Sequence, residues 1–180
     1  LGDLGADIVK IERPGPGDES RHWGPPWLNG TDGKATKESA YFLSTNRNKR
    51  SVAVDLASPD GQALIRKLAV DADICIENFK VGDLARYGLD YASLSKVNPR
   101  LIYCSVTGFG QTGPWAARPG YDYLFQGMGG PMSVTGERDD LPGGGPQRFG
   151  LPIVDLSTGM FAAISILAAL QHRNQTGEGQ

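Results

Sequence analysis

The stretch "SVAVDLASPDGQALIRKLAVDADICIE", residues 51–77, decides the fold class. Its opening alternates valine with small or polar residues and reads as a strand over residues 51–56. Ser58 then suits a helix N-cap, Pro59 the first helical turn, and Asp60 the positive end of the helix dipole. Leu64, Ile65 and Leu68 place an apolar face at helical spacing, and "DICIE" over residues 73–77 reads as the next strand.

The pattern extends in both directions. Towards the C-terminus, residues 81–87 read as a short helix closed by Gly88, and residues 91–97 as another stopped by Asn98-Pro99. "LIYCSVT", residues 101–107, reads as a buried strand. Towards the N-terminus, residues 7–12, "DIVKIE", form a strand candidate, residues 13–35 read as one long loop, and residues 40–43 are a short apolar patch. Strands and helices in this order predict a Rossmann-like α/β domain, a parallel sheet with right-handed crossovers. Residues 108–150 interrupt the rhythm with glycine- and proline-rich sequence, and irregular stretches of that length are more often functional than accidental. From Ser157 the pattern turns helical, with Met160, Ile164, Leu167 and Leu170 on one face and His172-Arg173 at the negative end.

Composition removes several function classes. The chain's 180 residues suffice for one domain with a core, and a formal charge of -2 provides no electrostatic pull towards nucleic acid or an anionic membrane. Cys75 and Cys104 fall in predicted strands without a CxxC spacing and read as reduced core thiols of a cytoplasmic protein. His22 and His172 are too scattered for a metal site, and the apolar run over residues 160–170 is too short to span a bilayer. The chain lacks an initiator Met and opens as the tail of a helix running into a strand, so it reads as part of a longer protein.

Several segments carry candidate chemistry. Gly108, Gly110 and Gly113 match the spacing of a dinucleotide fingerprint, but Pro114 follows where a helix should open. "ENFKVGDLARYGL", residues 77–89, exposes polar groups where a strand ends, the usual ligand side of an open α/β sheet. There Asn78 can hydrogen-bond, Phe79 can stack on a base, and Lys80 and Arg86 can meet phosphates; equally, the segment could be a capped helix with solvated charges. Arg13 is a phosphate contact or a surface charge, and Tyr121-Asp122 sits in a glycine-rich context. Asp155, in "GLPIVDLSTGM", is a helix cap or a nucleophile.

The segments "LGADIVKIERPGPGD", "NRNKRSVAVDL", "ENFKVGDLARYGL", "NPRLIYCSVTGFGQTGP", "GYDYLFQGMGG", "VTG", "PIVDLSTGM" and "AALQHRNQTGEGQ" occur in one order along essentially the whole chain. In that order and spacing the sequence resembles the family III CoA-transferases (the CaiB/BaiF type). The resemblance implies the N-terminal part of a large Rossmann-like CoA-binding domain over residues 1–180, with a first strand before Leu1 and the remainder beyond Gln180. It also implies an interlocked homodimer and the exchange of coenzyme A between an acyl-CoA and a free carboxylic acid, with no metal, nucleic acid or membrane. Asp155 matches the family's nucleophile; Asn78, Phe79, Lys80, Arg86 and Arg13 match contacts to CoA. Residues 54–57, from Val54 to Ala57, match the strand end that borders the adenine in the family, and Ala57 stands where some relatives carry Lys. Tyr121 and Asp122 match the acyl site, and the glycine-rich loop that shields the intermediate is expected beyond Gln180.

An aspartate suits this chemistry because a free Asp, with a pKa of about 3.9, is already ionised at neutral pH and needs no base. A related reading is an α-methylacyl-CoA racemase, which typically has His-Asp where this chain has Tyr121-Asp122. Tyrosine, with a pKa of about 10, is a poor base at neutral pH. A CoA-binding module without chemistry is the non-enzyme alternative. The segment "GGPMSVTGERDDLPGGGPQRFG", residues 129–150, resembles the transferases of short dicarboxylates, and Arg118, Arg138 or Arg148 could meet a second carboxylate.

Overall fold

Strand β1 (Ile8–Glu12) lies parallel to β4 (Lys49–Ala53), with Ile8 opposite Lys49 and Glu12 opposite Ala53. The computed structural model describes residues 1–180 and divides into two compact units, Leu1–Leu64 and Ile65–Gln180. The β1–β4 pair belongs to the first unit. Strand β4 ends before the expected residue 56 because Asp55 redirects the backbone. Its carboxylate accepts the Ala57 N–H at 2.9 Å and its carbonyl the Ser58 hydroxyl at 2.9 Å. Such local side-chain bonds compete with the strand ladder.

Residues 13–35, expected to be one loop, contain more structure. A 3-10 turn spans Glu19–His22, and β2 (Trp27–Asn29) pairs antiparallel with β3 (Ala35–Ser39). Gly33, at φ 76, and the Asp32 carboxylate, which accepts the Lys34 N–H at 3.0 Å, shape the connecting turn. The patch at residues 40–43 is the start of helix α1 (Ala40–Thr45), capped by Ser39, whose hydroxyl accepts the Phe42 N–H at 2.9 Å.

Helix α2 (Pro59–Asp71) starts as expected, with Ser58 accepting the Gly61 N–H at 3.0 Å. Leu64 and Leu68 are each 41% exposed, however, and Ala69 is the buried apolar position.

In the second unit β5 (Ile74–Glu77) runs parallel to β6 (Ile102–Ser105), with Ile74 opposite Ile102 and Glu77 opposite Ser105. The expected helix over residues 81–87 is reduced to a 3-10 turn, Leu84–Tyr87, because Gly82 adopts φ 86, outside the helical region. Gly88 closes that turn in the left-handed conformation. Helix α3 (Tyr91–Leu94) is also shorter than expected. Asn98 is buried, and its amide donates to the carbonyls of Ala69 at 2.9 Å and Ala72 at 2.8 Å, satisfying the C-terminal end of α2. Leu84, Leu89, Leu94, Leu101, Ile102 and Ile166 are the larger buried apolar side chains of this unit.

Helix α4 (Asp122–Met128) lies inside the stretch that reads as irregular. Helix α5 (Ile153–Thr176) begins four residues before Ser157. Its buried positions are Ile166, Ala169 and Arg173, whereas the expected packing residues Met160, Ile164 and Leu167 are exposed. Arg173 donates to the carbonyls of Asp73 and Arg100 and pairs with the Asp73 carboxylate at 2.8 Å. The apolar run at residues 160–170 is thus embedded in a 24-residue helix that is, by length and composition alone, sufficient to cross a bilayer. The run was too short; the helix is not.

Candidate active site

Asp155 is the third residue of α5, not its N-cap, a position taken by Pro152. A carboxylate in the first turn lies at the positive end of the helix dipole. The Asp155 side chain is exposed at that end, and neither a hydrogen bond nor a cation engages its carboxylate. Partial burial pushes its pKa above the ordinary aspartate value, and the negative charge of Asp122 adds to the rise. Along a neighbouring face of α5 lies an open apolar depression of about 460 Å³, lined by Val154, Thr158 and Phe161 among others; Asp155 is not on its wall.

The cap of α5 comes from α4. Asp122 is buried, and its Oδ2 accepts the N–H of Val154 at 2.8 Å and of Asp155 at 3.2 Å. Its other oxygen accepts from the side-chain amide of Gln126, one helical turn on and fully buried. Gln126 Oε1 accepts the Phe149 N–H at 2.9 Å, and its amide makes a longer contact of 3.4 Å to the Leu151 carbonyl. Asp122, matched to the acyl site by sequence, therefore has both oxygens committed to protein donors. Tyr121, in contrast, is 75% exposed. Of the three arginines, Arg138 is paired with Asp140 at 2.7 Å. Arg118 lies over the Trp115 ring and Arg148 over Tyr123, neither with a carboxylate partner.

The Gly108–Gly110–Gly113 pattern has a packing cause at its first position. A Cβ at Gly108 would lie 2.8 Å from the Gly120 backbone nitrogen, so the two glycines permit close chain approach. The Phe125 ring packs beside them and meets Phe109 edge-on. Turns, not a helix, follow Gly113.

At the carboxyl ends of β5 and β6 a second set of contacts fixes the turn bearing Asn78, Phe79 and Lys80. Glu77 accepts the Phe79 N–H at 2.7 Å and the Ser105 hydroxyl, and Gln111 donates to that hydroxyl at 2.6 Å. The Asn78 amide donates to the Val106 carbonyl at 2.7 Å, so part of its hydrogen-bonding capacity is already used. Phe79 is 45% exposed and Lys80 is exposed without an acidic partner. Arg86 pairs with Asp83 at 3.0 Å while remaining largely exposed. No hydrogen bond or ion pair joins this group to Asp155.

In the first unit Arg13 and Val54 directly follow the ends of β1 and β4, and Ala57 lies in the turn beyond Val54. The Val54 N–H donates to the Glu12 carbonyl at 2.9 Å, placing Val54 beside the Glu12-Arg13 backbone. Val54 is buried, whereas Arg13 and Ala57 are exposed. Glu12, absent from the sequence reading, anchors the following loop. It binds Arg21 through both carboxylate oxygens at 2.8 and 2.9 Å, the Ser51 hydroxyl at 2.6 Å and the Asp18 N–H at 2.8 Å. Those contacts hold its pKa down to about 2, the Arg21 hydrogen bonds being the largest cause. Gln126 was equally missed, although the Asp122–Gln126 spacing of one helical turn was visible. No group of three or more His, Cys, Asp or Glu side chains is arranged to hold a metal ion.

A sequence model described as CoA-transferase family III matches residues 1–180. Over 180 residues the chain is 52% identical to "Succinate--glutarate CoA-transferase" from Agrobacterium fabrum, covering 100% of this chain and 44% of that protein. It is 47% identical to "Succinyl-CoA:glutarate CoA-transferase" from Mus musculus over 99% of this chain and 38% of that one. Among solved structures, a CAIB/BAIF family protein from Brucella suis superposes with a TM-score of 0.89 at 50% identity, covering 99% of this chain and 45% of that chain. The chain spans less than half the length of the curated relatives it matches. With a match along its whole length and a shared mixed α/β architecture, the chain belongs to CoA-transferase family III.

Proposed function

We propose that the protein containing this chain moves coenzyme A from an acyl-CoA to a short dicarboxylic acid through an aspartyl-CoA thioester on Asp155. The observation that carries this reading is an exposed carboxylate, free of any partner, at the first turn of α5 with its own backbone N–H held by Asp122. Partial burial and the charge of Asp122 raise its pKa, and a more basic carboxylate is a better nucleophile than an ordinary aspartate. The names of the relatives, succinate–glutarate and succinyl-CoA:glutarate CoA-transferase, support a dicarboxylate as acceptor. Arg118 and Arg148, which lack carboxylate partners, are available to a second carboxylate; Arg138 is engaged by Asp140.

The sequence of steps conserves charge without an external base. A carboxylate oxygen of Asp155 adds to the thioester carbonyl, the C–S bond breaks, and CoA thiolate leaves behind a mixed anhydride. The thiolate then attacks the aspartyl carbonyl, releasing the donor acid and forming the aspartyl-CoA thioester. The acceptor carboxylate attacks that carbonyl, expels the thiolate, and forms a second anhydride. Thiolate attack on the acceptor acyl carbon yields the new acyl-CoA and restores the Asp155 carboxylate. Each addition creates an oxyanion, for which a backbone N–H donor is worth about 3–4 kcal/mol.

For coenzyme A itself, Phe79, Lys80, Asn78 and Arg86 supply one exposed group at a strand end, and Arg13, Val54 and Ala57 another. Ala57 brings no cation to its edge. We read the protein as a cytoplasmic enzyme in which α5 packs on β6 through buried Ile166, Ala169 and the paired Arg173, while Met160, Phe161, Ile164 and Leu167 are exposed in this chain. Assembly as an interlocked homodimer, with the chain as the N-terminal part of a CoA-binding domain, completes the reading.

The test is to mix the full-length protein with succinyl-CoA, quench with hydroxylamine, and map modified peptides by mass spectrometry. A hydroxamate on Asp155, and loss of acyl exchange in Asp155→Asn, are expected. Exchange persisting in Asp155→Asn overturns the reading. α-Proton exchange without acyl exchange would mark a racemase, and CoA binding with neither reaction a binding module.

A further inference from the structure

The geometry points to Gln126 as a positioning residue that acts through Asp122 to set the backbone of the nucleophile's turn; this rests on the reading of Asp155 given above. Gln126 is fully buried in a helix only seven residues long, where an uncharged polar side chain is costly unless fully used. It is used on both sides. Its amide donates to Asp122 and its carbonyl oxygen accepts the Phe149 N–H at 2.9 Å. Asp122 in turn accepts the N–H groups of Val154 at 2.8 Å and Asp155 at 3.2 Å. One glutamine thereby ties together α4, the segment entering α5, and the two peptide groups immediately before the reacting residue.

The arrangement accounts for two facts that an acyl-contact role for Asp122 leaves open. Both oxygens of Asp122 already accept protein donors, and its side chain is buried whereas Tyr121 beside it is exposed. It also explains why a second acid lies so close to the nucleophile. Of the groups on the elements packed against α5, Asp122 is the one whose charge acts on Asp155; Tyr103 and Cys104 on β6 exert no such effect. Without Gln126 the Asp122 carboxylate loses its only side-chain donor and can rotate away from the α5 N-terminus. The Asp155 turn then frays, and a displacement of about 1 Å at a reacting group costs roughly 10²-fold in rate.

The experiment compares full-length protein with Gln126→Met, which keeps volume but removes every hydrogen bond of the side chain. Two readouts are taken: hydrogen exchange of the backbone amides in the peptide containing Val154 and Asp155, and steady-state acyl transfer from succinyl-CoA. Faster exchange confined to that peptide is expected, with kcat down about 10²-fold and KM for succinyl-CoA near that of the unaltered protein. A rescue pair separates this role from simple stability. Gln126→Glu alone opposes two carboxylates, whereas Gln126→Glu combined with Asp122→Asn restores a donor–acceptor pair with its direction reversed. The double substitution should recover amide protection and part of kcat. Unchanged protection at Val154 and Asp155 in folded Gln126→Met, or no recovery in the double, overturns the inference. Because amide protection is independent of catalysis, an inactive unaltered protein would refute the proposed function and leave this test decided on its own readout.

Discussion

Replacing Glu12 with Gln should destabilise the protein by roughly 3 kcal/mol at neutral pH. Its side chain is only 4% exposed and gathers four donated contacts: two from Arg21, one from the Ser51 hydroxyl and one from the Asp18 N–H. Together they lower its pKa from 4.5 to about 2. At about 1.36 kcal/mol per pH unit, that difference gives the figure quoted. The sign follows from a folded pKa below the unfolded one. The contribution is fully present above pH 4.5, falls to about 2 kcal/mol near pH 3.5, and vanishes below the folded value of about 2. A glutamine would also turn amide hydrogens towards Arg21 and the Asp18 N–H, which are themselves donors. Urea unfolding of the full-length protein and of Glu12→Gln, run from pH 7 down to pH 3.5, measures both the offset and its slope. The two should converge as the pH falls. A difference at pH 7 below about 1 kcal/mol, the scale of an ordinary exposed ion pair, would refute the idea that this carboxylate anchors the loop after β1.

Two further outcomes are expected. Gly61→Ala should destabilise although alanine is ordinarily about 1 kcal/mol better in a helix, because the added Cβ would lie 1.9 Å from the Asp55 carbonyl oxygen; overpacking of this kind costs about 1–3 kcal/mol. A thermal melt unchanged or raised by the substitution would contradict that reading. Acyl transfer should fall on the acid side with a midpoint above the ordinary aspartate value, since partial burial and the Asp122 charge both raise the Asp155 pKa. Asp122→Asn should move that midpoint to lower pH, and a kcat/KM profile whose acid limb does not move would deny the electrostatic link.

The elements legible in the sequence are those whose causes lie within a few residues. The parallel-strand segments, the Ser58 cap of α2 and the left-handed Gly88 all follow from local pattern and backbone preference. So did the location of Asp155 at a helix start, because the apolar run after it and the Pro before it are local signals. The misread elements each had a local competitor. Asp55 curtailed β4 with its own carboxylate, Gly82 prevented the helix before Leu84, and a turn built on Asp32 and Gly33 paired β2 with β3 inside an apparent loop.

What only the tertiary structure decided is which partner each buried polar group takes. Asp122 reaches the N–H groups of residues 32 and 33 positions further on, and Ser51 reaches Glu12 from 39 positions away. Sequence patterning fixes that a position is apolar or polar, but a hydrogen bond depends on distance in space, which folding sets by closing loops of any length. The chemistry of a carboxylate at residue 155 belongs to the sequence; its freedom from partners, and the buried amide beneath it, belong to the fold.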